Sequence, residues 1–289
     1  MFRARLDALL GFPDTGVAEA RQAIERARGL HHVRSLAVVL GTGWDTFAIA
    51  GEEADLRQAT EEWDALANDQ GFQFYQARAR YCSGWMKSRD GDIASGRTMV
   101  EEAIRDLDAV GVILDAPQVH AMLADAREAA GDVPGALEAI DRGLEIATSG
   151  GGIWWSAELH LRKGRLRQDE PAAAEQDFQR ALRAARRQSA RTQELRAATA
   201  YGEFLLAQGR AEGARAVVAP VLEWFTEGSH RPDHRAAAAL LARIDAGLRP
   251  ETHQEAEPPG GSIGAKPRAT APVSAADRSA TTTPSTARA

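Results

Sequence analysis

Histidine, cysteine and arginine are the residues of this 289-residue chain whose spacing could support chemistry. His230 and His234 stand four apart, an interval at which two imidazoles on one helical face can chelate a metal. Pro232 lies between them and marks a helix start, so the pair need not share a face, and no metal is expected. His160, in the run Glu158-Leu159-His160, could act as a general base, but no Ser or Cys nucleophile is placed for it in a recognisable motif. A packed structural histidine is the expectation there. Cys82 is the single cysteine; it rules out an internal disulfide framework, fits a reducing compartment and reads as a small buried side chain. The glycines of 260–266 (GGSIGAK) lack phosphate-loop spacing and follow no strand, and Gly41-Thr42-Gly43 reads as a helix irregularity. Arg180, Arg183, Arg186, Arg187 and Arg191 space as one solvated helix face. Trp154-Trp155 and Trp224-Phe225 read as packing groups between helices. Nothing here converges on a catalytic motif: no enzyme and no cofactor are expected.

Those side chains must be carried by helices. The formal charge of −6 argues against a nucleic-acid binder, although it is unevenly spread. Residues 44–148 hold 21 acidic and 9 basic side chains, whereas 153–215 hold 8 and 12. No run approaches the ~18 apolar residues of a membrane span, and the N-terminus has no signal-peptide pattern, so a soluble cytoplasmic protein is expected. Glycines recur at 11, 51, 91 and 131, then at 209, and a second series falls at 29, 71, 111, 150 and 228 with Ser189 in the missing slot. A fixed period near 40 with two breaks per period is the signature of stacked helical hairpins. Pro134 and Pro171 open second helices, where a missing N–H costs nothing. Between the breaks, sets such as Ala136, Leu137, Ile140, Leu144 and Ala147 recur at helical spacing, and strand signals are nearly absent.

The pattern predicts helices at about 14–28, 34–50, 53–69, 72–89, 92–109, 115–130, 133–148, 153–167, 171–188, 192–208, 211–226 and 232–247. A short segment at 2–10 precedes them, so the first hairpin lacks most of its first helix and exposes an apolar face. The expected organisation is an all-α solenoid of about six hairpins over 1–249 and a disordered Pro/Ala/Thr/Ser-rich tail over 250–289.

Single repeats resemble the tetratricopeptide repeat. Ala124, Gly131-Asp132, Ala136, Ile140 and Gly143 fill its small and large slots. Gly84, Gly91-Asp92, Gly96, Val100 and Ala103 do so in the repeat before, and Gly202, Gly209, Ala214, Val218 and Val221 in the last. The repeat at 34–70 departs from the pattern, with Trp44 and Trp63 at small positions. From about Gly84 to Leu241, the runs WWSAELHLRKGRL, RRQSARTQELRAATAYGEFLLAQGR and VVAPVLEWFTEG resemble the C-terminal helical-repeat region of large bacterial signalling proteins. Those proteins carry a cyclase-like or DNA-binding domain, then an ATPase domain, then this region. The resemblance implies a non-catalytic protein-interaction module in cytoplasmic signalling, with an ATPase or cyclase component as a candidate partner. It leaves open a ligand-sensing module and a truncated remnant of such a protein.

In a right-handed stack the first helix of each hairpin lines the concave surface. That places Arg78, Tyr81, Trp85 and Arg89 in one repeat, Gln118, Asp125 and Glu128 in the next, then Lys163 and Arg167, then Arg196 and Glu203. Two aromatics among charges of both signs suit a peptide groove, so a protein or peptide partner is expected there. Neither nucleic acid nor a membrane is.

Overall fold

Many of the helix boundaries can be traced to a local signal. The computed structural model describes residues 2–70, 73–150 and 152–247. Its thirteen α-helices are α1 (Phe2–Leu10), α2 (Pro13–Gly29), α3 (Val33–Ala50), α4 (Glu53–Gln70), α5 (Gln73–Arg89), α6 (Ile93–Ala109), α7 (Ala116–Ala129), α8 (Val133–Thr148), α9 (Ser156–Leu166), α10 (Pro171–Arg187), α11 (Arg191–Ala207), α12 (Ala211–Leu222) and α13 (Pro232–Asp245). Among the described residues there is no strand, and no helix is long and apolar enough to cross a membrane. The fold is all-α. The 250–289 segment assigned to a tail lies outside the described residues.

Helix starts use proline and short acceptors. One proline stands at the first or second position of each of α2, α8, α10 and α13, and the Asp92 and Asp132 carboxylates accept from Ser95 N at 3.4 Å and Gly135 N at 2.9 Å. Left-handed residues follow many helix ends. The glycine-free turn after α10 puts Ser189 at φ 54°, in the slot glycine holds elsewhere. After α2 the left-handed residue is His31 (φ 51°) and not Gly29, which still belongs to the helix.

Two helix predictions shift. The stretch Ile153–Trp155 is a 3-10 turn ahead of α9, and α12 stops at Leu222 although helical periodicity continues to 226. Residues 223–231 instead reach across to the first hairpin.

Consecutive helices pair as antiparallel hairpins, and the first members α1, α3, α5, α7, α9, α11 and α13 also touch one another in sequence. Small residues set the close approaches. A side chain at Gly84 would stand 2.8 Å from the Gly96 carbonyl oxygen, so α5 and α6 pack backbone to backbone. The departing repeat has its own solution. Gly41 makes room for the Trp63 ring, 2.7 Å from where a Cβ would lie, and Trp44 donates its indole N–H to Thr60 Oγ1 at 2.8 Å. Gly41-Thr42-Gly43 is therefore a packing device inside a regular helix. One apolar core runs from Ala4 to Leu159, and a second, from Leu161 to Ile244, serves the last hairpins. The first members also close on themselves, because α1 packs against α11.

Candidate functional site

Closure brings the inner faces of α3, α5, α7, α9 and α11 together around one pocket. It is lined by Trp44, Trp85, Trp154 and Trp155 together with Asp45, Gln118, Met122, Glu158, Arg162, Gln193 and Arg196, and encloses ≈ 70 Å³. The indoles hold one another at fixed tilts: Trp44 meets Trp85 edge-on at 5.7 Å between centroids, and Trp154 meets Trp155 at 5.3 Å.

Charged groups in the wall are paired with each other. Glu158 accepts from Arg162 at 2.8 Å and from Arg196 at 3.0 Å. Arg162 also grips Asp125 at 2.7 and 3.1 Å, and Arg196 reaches Asp233 at 2.6 Å and the Ile49 carbonyl at 2.5 Å. Burial alone would raise the Glu158 pKa, but the charges and hydrogen bonds of Arg196 and Arg162 hold it at about 2. Asp45, only 2% exposed, accepts from Gln118 Nε2 at 3.0 Å and from Arg5 at 3.1 Å. Both glutamine amides are oriented by acceptors, Gln118 by Asp45 and Gln193 by the Trp154 carbonyl at 3.1 Å. Gln118 Oε1, Gln193 Oε1 and Trp155 Nε1 are buried without a partner among the described residues, an arrangement that native proteins seldom leave without a reason.

The row expected on the concave surface divides into three groups. Tyr81 is sealed in the interior, Gln118 is buried in the pocket wall, and Arg78 is largely buried over the Trp63 ring, 2.9 Å from Asp115. These three brace the inner helices and present almost no surface. Lys163 and Arg167 turn toward second helices, to Asp141 of α8 and to Asp177 of α10 at 3.4 Å, while Glu203 pairs with Arg243 of α13 at 2.7 Å. The remaining five stay near the pocket. Arg196 and Asp125 belong to the ion-pair network. Trp85, half-buried, donates to Asp125 at 3.0 Å, and the exposed Arg89 stacks 4.7 Å above its ring. Glu128 is exposed close by; among the described residues, neither it nor the exposed Arg165 has an ion-pair partner.

A peptide-binding groove on the concave surface was the expectation for this row. In the structure α1 packs against α11, and side chains of α3, α5, α7, α9 and α11 converge on the pocket. The arginine run also resolves differently along its length: Arg180 is tied to Asp177, and Arg186 and Arg191 to Glu194, leaving Arg183 and Arg187 as exposed surface. His160 is buried enough that its pKa falls to about 4, so the ring is neutral near pH 7. Cys82 is buried, and burial pushes its thiol well up.

Sequence reasoning missed Trp44, Asp45, Arg162 and Gln193 as pocket residues. The available signal was an acidic residue beside a tryptophan within an otherwise apolar helix, Trp44-Asp45 in Val33–Ala50. A buried carboxylate of that kind must find a cation.

No protein-family model matches the chain, and no curated protein does either. Among solved structures, the chain is similar to BtubC (BKLC) from P. vanneervenii at 16% identity, with a TM-score of 0.51. The match covers 86% of this chain and 97% of that one, and at such low identity it bears on the fold alone.

Proposed function

We propose that the chain is a tetratricopeptide-like solenoid of about six hairpins with a period near 40, acting as a non-catalytic interaction module in cytoplasmic signalling. It binds a peptide or protein at the mouth of the central pocket. The observation that supports this most is the half-buried Trp85, stacked under Arg89 at 4.7 Å and close to the unpaired charges Glu128 and Arg165. An apolar anchor with steering charges of both signs is the chemistry of a binding hot spot. The resemblance to the region that follows cyclase and ATPase domains makes an ATPase or cyclase component the candidate partner.

The ligand-sensing reading has its own support in the enclosed tryptophan-lined pocket with unpartnered polar atoms in its wall. The two readings separate by where binding is lost. Affinity selection from a displayed peptide library, with the full chain as bait, tests the first. Glu128→Lys and Arg89→Ala should each abolish capture of the selected peptides while the melting temperature holds. Arg183→Ala with Arg187→Ala should leave capture intact. Loss of capture through the outer arginines alone would overturn the mouth as the site.

A further inference from the structure

Two segments more than two hundred residues apart meet where the chain closes on itself. The N-cap residue of α2, Phe12, offers no side-chain acceptor to the helix behind it. Glu227 supplies one from the far end of the chain. Its carboxylate accepts from the backbone N–H groups of Asp14 at 2.8 Å and Thr15 at 2.9 Å, and from the Thr15 hydroxyl at 2.9 Å. A helix N-terminus favours an anion, and three donors on one carboxylate fix its position. Asp14 reciprocates by accepting from Gly228 N at 2.9 Å and Arg231 Nε at 2.8 Å, and Arg231 continues to Glu52 at 2.6 Å.

The backbones fit closely around these bonds. At Gly11 (φ 100°) a Cβ would lie 2.4 Å from the Trp224 ring, and at Gly228 (φ 77°) one would lie 2.7 Å from Pro13. Two further bonds cross the same seam: Thr192 Oγ1 donates to the Ala8 carbonyl at 2.6 Å, and Arg196 to the Ile49 carbonyl at 2.5 Å. Apolar groups also face one another across it: Pro13, Ile49 and Ala50 line a small cavity with Leu195 and Phe225. Ala8, Leu9 and Ile49 form a small separate cluster with Trp154, outside both large cores. Phe12 adds an edge-on contact with Trp224 at 5.7 Å.

We infer that residues 223–231 form a polar clasp which releases the first hairpin from the last without unfolding either core. Glu227 is its central residue, a helix cap supplied by the opposite end of the chain. The seam carries a network of polar bonds beside the small apolar cluster of Ala8, Leu9 and Ile49, so opening it returns the polar groups to water while most of the two large cores stays packed. The pocket wall straddles the seam, with Ala48 and Ile49 on one side and Gln193 and Arg196 on the other, so release also parts that wall. Whether parting the wall admits a ligand rests on the pocket's being a binding site; the clasp does not.

Hydrogen–deuterium exchange on the full chain, with no partner added, tests the clasp by itself. Glu227→Ala should speed exchange at 2–20 and 191–200 roughly tenfold, the factor expected for losing about one charge-assisted hydrogen bond, while 97–145 stays protected. Glu227→Gln keeps one carbonyl oxygen for the two backbone donors and should show a smaller increase. Arg57→Ala, which breaks the exposed pair with Asp90 away from the seam, should change neither region. Unchanged exchange at 2–20 in Glu227→Ala would mean that the apolar contacts alone hold the closure. A uniform rise across all hairpins would mean that the seam is part of one global unit. Either result overturns the inference.

Discussion

The contacts between successive hairpins and the seam that closes the molecule join helices of the same kind by different physics. Within the stack, Ala136, Ile140, Gly143 and their counterparts bury apolar surface at close helix approach, and the only requirement is that small face large. At the seam, Glu227, Asp14, Arg231 and Thr192 satisfy one another and backbone ends. Apolar burial is insensitive to direction and to charge screening; the seam depends on both geometry and charge. A molecule built this way can hold its repeats firmly and still open at one place.

That contrast can be broken from the stack side first. Leu240, fully buried in the core of the last hairpins, should cost about 2–5 kcal/mol on truncation to Ala, lowering the melting temperature of the whole fold. Ala136→Leu and Ala214→Leu should each cost about 1–3 kcal/mol, because both sites are fully buried between paired helices. Neutral behaviour at both would remove the close-packed half of the comparison.

The seam should respond more weakly and more selectively. Glu227→Ala should cost about 1 kcal/mol, the usual cost of losing a helix cap, and the difference from wild type should shrink as salt is raised. Acid should act in the same direction. Burial would raise the Asp14 pKa, but the Arg231 hydrogen bond and charge, the Gly228 N–H and the nearby His230 hold it below its usual 3.8. A carboxylate depressed in the folded state contributes stability above its unfolded pKa and loses it as pH falls through the folded value. The radius of gyration by small-angle scattering should therefore rise below about pH 4, and Asp14→Asn should flatten that rise. A dimension independent of pH in the wild type would count against a polar seam. The smallest effect belongs to the outer surface, where Arg183→Ala with Arg187→Ala should stay within about 0.5 kcal/mol of wild type in chemical denaturation.

Helices and hairpin turns were legible because they rest on local rules. Gly51, Gly91, Gly131 and Gly209 end helices by accepting a left-handed conformation, and even Ser189 was marked by its place in the series. Buried positions such as Ala136 and Ile140 followed from a period of 3.6, and Val100 and Ala103 from the resemblance to the tetratricopeptide repeat. The pocket was only half legible. Trp85, Asp125 and Arg196 were read as part of a peptide groove; Trp85 and Arg196 line the pocket, and Asp125 pairs with Arg162 in its wall. Trp44, Asp45 and Gln193 were not placed there at all.

What the amino-acid order settled by itself was therefore the unit: where most helices start and stop, and which face they bury. The tertiary structure alone decided how the units come together. How neighbouring hairpins sit on one another is fixed by side-chain volumes on several helices at once, such as Gly41 beneath Trp63. That packing brings α1 against α11, takes Tyr81 from a presumed groove into the interior and Gln118 into the pocket wall, and ends α12 early so that Glu227 can cap a helix 213 residues away. No local window of sequence holds that information, because a cap supplied from so far along the chain exists only once the intervening repeats have packed.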